Sequence, residues 1–167
     1  MRTKLIMLWF AFGLLSLTFA NAELSDAVYR DGVKIPVLPD DWHVGLIYRY
    51  DNDTGTRYVI HSAGSQSGEA NSVRIGDWTE FMNYNTFMGK RCKGNPSYGI
   101  RKIIIDTALD QLNANYWKYT GMTYHWMKPN SSPGSGNGYF RCDGLVEYCY
   151  EQAGLDICND AFLLSRG

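Results

Sequence analysis

WHVGLIYRYDNDTGTRYVIHSAG, residues 42–64, holds two runs of β type around a turn-rich centre. HVGLIYRY and TRYVIHS are rich in β-branched and aromatic residues, and DNDTG between them supplies residues that reverse a chain, so the segment predicts a β-hairpin. Each run carries one of the chain's three histidines, His43 at the start of the first and His61 near the end of the second. A hairpin turning about Asn52 sets position 43 opposite position 61, and directly opposite residues share a face with Cβ atoms about 4.5–5.5 Å apart. Two neighbouring imidazoles are therefore expected. Such a pair can be a solvated cross-strand pair, a weak metal site, or a base with the residue that orients it.

Downstream, the polar stretch AGSQSGEAN leads into SVRIGDW, residues 72–78, read as a third strand. Residues 79–99 are mixed in pattern. Residues 100–117 read as a helix, with Ile104, Ala108 and Leu112 on one stripe at spacings of four. After the aromatic GMTYHW and the loop KPNSSPGSGNG comes YFRCDGLVEYCYEQAG, residues 139–154. It predicts a helix headed by Cys142 and closed by Gly154 as a left-handed C′ residue.

Cys142 thus stands at a helix N-terminus, where unpaired N–H groups and the positive end of the macrodipole favour a thiolate and can receive an oxyanion. That makes it a candidate nucleophile and predicts an acidic thiol. The competing reading is a disulfide, since four cysteines permit two bridges. Cys149, two turns further on, lies roughly 10 Å from Cys142 by the helical rise and cannot bond to it. Cys149 falls on the stripe Leu145, Cys149, Ala153 and reads as core, which leaves Cys92 and Cys158 as the pair best placed for a bridge. A thiol nucleophile needs a base, and His43 and His61 are the candidates, one to take the proton and the other to fix its tautomer. His125 sits among aromatic residues and reads as packing. The chain has no H-x-x-x-H or C-x-x-C spacing, so a zinc site is not expected.

At the other end, Arg2 and Lys4 precede the apolar run LIMLWFAFGLLSLTFA and then Ala20-Asn21-Ala22, a small-residue site of the A-x-A kind. This pattern predicts a signal peptide over residues 1–22, cleaved after Ala22, and a secreted or periplasmic chain with no stable membrane insertion. Residues 23–167 then suit one domain. A net charge of −1 with scattered Lys and Arg gives no electrostatic footprint for nucleic acid. The 14% aromatic content suits a folded chain rather than a disordered one.

Three of these segments resemble one family. RCDGLVEYCYEQAGLDI is similar to the cysteine motif of the NlpC-type cell-wall peptidases, GMTYHW to the approach segment before it, and WHVGLIYRY with YVIHSAG to the family's histidine hairpin. Here the histidines precede the cysteine, an order that resembles the circularly permuted papain-like branch of the YaeF/YiiX kind. The resemblance implies an α+β fold in which a small antiparallel sheet packs against the nucleophile helix. It implies a cysteine amidase or peptidase that needs no cofactor, with Cys142 as nucleophile, His43 as base, His61 as orienting residue and Tyr124 at the oxyanion or substrate site. The implied substrate is an amide in peptidoglycan stem peptides or a related compound, and an inhibitor or immunity protein is a possible partner. Asp143 departs from the family's small hydroxyl residue and sets a negative charge beside the thiol. Two alternatives stand beside this reading. One is a lipid acyl hydrolase or acyltransferase of the lecithin:retinol acyltransferase-like type, which also runs histidine first. The other is a wall-binding domain without turnover.

Overall fold

A computed structural model describes residues 23–31, 43–64, 71–116 and 127–156. The segments expected to carry the signal peptide, Tyr124, His125 and Cys158 lie outside the described residues. The fold is α+β. Among the described residues, eight strands form one sheet in the order β5-β1-β2-β3-β4-β6-β8-β7, and three helices pack on it. The strands are β1 (Ala27–Arg30), β2 (His43–Asp51), β3 (Thr56–Ala63), β4 (Ser72–Asp77), β5 (Phe87–Arg91), β6 (Asn115–Tyr116), β7 (Met127–Lys128) and β8 (Tyr139–Phe140). The helices are α1 (Trp78–Met82), α2 (Tyr98–Asp110) and α3 (Cys142–Gln152). All neighbouring strands are antiparallel except β6 and β8.

The predicted hairpin is β2–β3, and its turn and register both differ from expectation. Asp51 pairs with Thr56, so the turn covers four residues and centres between Asp53 and Thr54, not on Asn52. Asp51 builds it: one carboxylate oxygen accepts the N–H groups of Asp53 and Thr54 at 3.0 and 3.2 Å, and Gly55 closes it at φ +70°. Read on from Arg49↔Tyr58, that turn alone would set His61 opposite Leu46, on the face away from His43. The register shifts between Ile47 and Arg49, where Tyr48 is the extra residue of a bulge, and runs on as Ile47↔Val59 and Leu46↔Ile60. Extended by one step, it faces His61 with Gly45. His61 is therefore diagonal to His43 and on the same face, not directly opposite as the simple turn predicted.

Alternation along β2 divides the core. Val44 and Leu46 join Ala27, Ile60 and Val73 against Ile104, Ile105 and Ala108 of α2 and Leu145, Val146, Cys149 and Tyr150 of α3. Ile47, Val28 and Val59 pack on the other face against Phe81 of α1. Cys149 is fully buried core, as its stripe predicted.

Two boundaries are corrected. The third strand stops at Asp77, whose side chain caps α1 by accepting the Glu80 N–H at 2.8 Å, so Trp78 opens a helix. The long helix ends at Asp110, not at residue 117: Asn113 takes a left-handed φ of 66°, and Asn115 and Tyr116 leave the helix to pair with β4 and β8. Tertiary pairing overrides helical propensity here. The cysteine helix follows its expectation. Gly154 at φ +76° donates to the Glu151 carbonyl and Leu155 to that of Tyr150, the two bonds of a Schellman close.

The chain entering β1 is held from inside. The Asp26 carboxylate is about 1% exposed and accepts Arg101 at 2.8 Å, Lys90 at 2.9 Å and the Glu23 N–H at 2.9 Å. Burial works to raise its pKa, and these donors outweigh burial and hold the carboxyl below its ordinary value. Tyr150 of α3 reaches across to the Ser25 carbonyl at 2.8 Å.

Candidate functional site

His43 Nε2 lies 2.8 Å from His61 Nδ1, so the two imidazoles share one hydrogen bond. Their centroids are 5.1 Å apart and their planes stand at 78°. This closeness depends on Gly45. A Cβ there would sit 2.5 Å from Val59 Cγ1 and 3.0 Å from both His61 Cβ and the Ile60 carbonyl oxygen. A glycine inside a strand, as Gly45 is within HVGLIYRY, is the sequence signal of such an approach.

Phe81 covers the pair from outside. It is fully buried, with its ring 5.6 Å from His43 and 5.4 Å from His61. Burial is the main cause that lowers both imidazole pKa values, His43 well below its ordinary value and His61 to about 3. Arg74, opposite His61, and Arg30, opposite His43, add positive charge in the same sense. Both rings are neutral at pH 7.

Cys142 opens α3 next to the start of β2. It is a thiol, as are Cys92 and Cys149. The N–H groups of Val44, the residue after His43, and of Asp143 are directed at its sulfur. The β2–β3 ladder ends at Leu46↔Ile60, and one step further Gly45 still lies close against His61. Ser62 fixes the approach: its hydroxyl donates to the Phe140 carbonyl at 2.8 Å, tying β3 to the strand that leads into the cysteine. The thiol thus comes to the start of β2 from the α3 side, and the imidazoles occupy the α1 side of the same strands.

The expected acidity of this thiol is overturned. Burial raises the Cys142 pKa first and the Asp143 carboxylate raises it further, to about 11, against the lowering effect of the Val44 and Asp143 N–H groups and of Arg141. Asp143 is held in place by Arg141, whose Nε donates to Oδ1 at 2.9 Å, and that same oxygen accepts the Gly144 N–H at 2.9 Å. A helix mouth favours thiolate only where the field is not cancelled, and here a carboxylate stands in the first turn.

Among the described residues, no group of three His, Cys, Asp or Glu side chains is arranged to hold a metal ion, and no helix is long and apolar enough to cross a membrane. Comparisons with protein-family models, curated proteins and solved structures give no match.

Proposed function

We propose that this protein is an exported cysteine amidase or peptidase with a circularly permuted papain-like domain, acting on an amide bond of peptidoglycan stem peptides or a related substrate. The observation that carries the reading is the hydrogen-bonded His43–His61 pair at the start of β2, with the amide of the next residue, Val44, directed at the thiol of Cys142. Acyl transfer needs a base oriented by a second residue and a nucleophile at a helix start, and both meet the start of β2, the imidazoles from the α1 side and the thiol from the α3 side.

The chemistry follows from the nitrogens. His43 Nε2 is engaged by His61, so Nδ1 is the nitrogen left to serve the thiol. For Nδ1 to carry a lone pair, Nε2 must carry the proton and donate it to His61 Nδ1. For turnover the His43 ring must reach past the start of β2 to the thiol on the α3 side; there it takes the Cys142 proton as sulfur attacks the carbonyl carbon, and the Asp143 N–H turns from the sulfur to the developing oxyanion. Collapse breaks the C–N bond, and the leaving amine departs with the proton from His43. Water attacks the thioester, gives a proton to His43, and the acid leaves as the thiol is restored. The resting pair is neutral, so proton transfer accompanies attack instead of preceding it.

Purified protein incubated with peptidoglycan fragments and, separately, with phospholipid vesicles, followed by mass spectrometry of the products, tests this. Hydrolysis of a peptide or isopeptide amide that disappears in Cys142→Ala is the expected result. Fatty acid release that depends on Cys142, with no amide turnover, would transfer the protein to the lipid acyl hydrolases. No turnover of either substrate would favour a binding domain.

A further inference from the structure

Phe81 has no reactive group, yet it touches both imidazoles. Helix α1 delivers it there. Asp77 caps the helix, and Glu80 pairs with Arg74 at 2.9 Å, the residue opposite His61. Gly76 leaves its space to the Glu80 carboxylate, which lies 2.8 Å from where a Cβ would stand.

His61 supplies the second observation. It is about 2% exposed and its Nδ1 is occupied by His43, but its Nε2 is buried with no nitrogen or oxygen partner among the described residues. A buried N–H left without any acceptor is costly. Beyond His43, whose nitrogen already meets Nδ1, the aromatic ring against His61 is Phe81, 5.4 Å away in a T-shaped arrangement with planes 86° apart. An aromatic face carries the negative end of the ring quadrupole, so it accepts an N–H and repels a lone pair.

We infer that the Phe81 ring is the acceptor for the His61 Nε2–H, and that it thereby fixes the tautomer of the whole pair. With the proton on Nε2, His61 offers a lone pair at Nδ1. His43 must then donate from Nε2, and its own Nδ1 keeps the lone pair. Phe81 is thus a positioning residue acting through two rings. Its consequence for catalysis rests on the proposed function above, and its geometry does not.

The test is a long-range proton–nitrogen correlation spectrum of the imidazoles in the mature chain at neutral pH, with turnover measured alongside. Both rings in the wild type should be protonated at Nε2 alone. Phe81→Leu keeps an apolar cover without a π face, and should bring up the second tautomer while kcat falls about two- to fivefold at unchanged KM. Phe81→Tyr keeps the face and should retain the wild-type pattern. His61 protonated at Nδ1 in the wild type overturns the inference by itself, whatever the variants do. A folded Phe81→Leu protein with unchanged tautomers overturns it as well. The expected tautomers in a protein whose turnover ignores Cys142 would uphold Phe81 as the acceptor and reject the catalytic reading.

Discussion

Gly45 faces His61 across β2 and β3 with no room for a side chain, and that bare backbone is what lets His61 reach the ring of His43 two residues away. The Cβ of an alanine would meet a stiff valine branch at 2.5 Å and a backbone carbonyl at 3.0 Å. Gly45→Ala should therefore destabilise the fold by about 1–3 kcal/mol, the usual cost of overpacking. It should also reduce turnover beyond any loss of folded protein. Chemical denaturation with activity normalised to folded fraction checks both.

Asp143 should restrain the thiol. Removing its charge with Asp143→Asn should lower the Cys142 pKa from about 11 and speed iodoacetamide labelling at neutral pH. In the unaltered chain the labelling rate should keep rising with pH beyond neutrality. A wild-type labelling curve that levels off below pH 8 would contradict the arrangement.

The three candidate residues should not be equal. Cys142→Ala should abolish amide hydrolysis, and His43→Ala should cost about 10²–10⁴-fold in kcat, the range for a lost general base. His61→Ala should cost less, because water can partly replace an orienting group. Equal losses for the two histidines, measured as kcat on one substrate, would reverse or merge their roles.

Acid should weaken the fold in two windows that overlap near pH 3. The imidazoles are held neutral with folded pKa values below the ordinary 6.5, so the unfolded chain binds their protons first. Stability is lost as pH falls below 6.5, and the His61 share continues to about pH 3. Asp26 has a lowered folded pKa, so its contribution is intact above its unfolded value of about 3.9 and is lost only as pH falls through the folded value. Melting temperatures across this range should fall from near-neutral pH, and His61→Gln should flatten the upper part of the slope.

Asp26 should matter to the fold more than to the site. Its carboxylate is the buried partner of Arg101, whose side chain is only 8% exposed. Removing one member of a buried pair leaves the other uncompensated, so Asp26→Ala should cost on the order of 3–5 kcal/mol. Urea midpoints of the variant and the parent chain measure it.

The hairpin, the strand after it and the cysteine helix were readable from local chemistry, whereas β1, α1, β5 and the short strands β6, β7 and β8 were not. Runs rich in β-branched and aromatic residues around a turn-rich centre marked β2 and β3, and Gly154 marked the end of the cysteine helix, because turn and cap preferences act within a few residues. The same locality put Cys142 at a helix start and gave the histidines as its candidate partners. What the sequence could not reveal was the face each histidine takes. In a strand one residue of slip reverses every side chain, and here an unexpected turn centre was offset by a bulge at Tyr48, two shifts set by contacts across the sheet. The true end of α2 was hidden for the same reason, since Asn115 and Tyr116 are drawn into strand pairing by segments far along the chain. The charge state of the thiol was decided last and furthest from the sequence. The helix start alone argues for thiolate, but burial and the Asp143 carboxylate raise the pKa, and burial exists only once α3 is packed on the sheet.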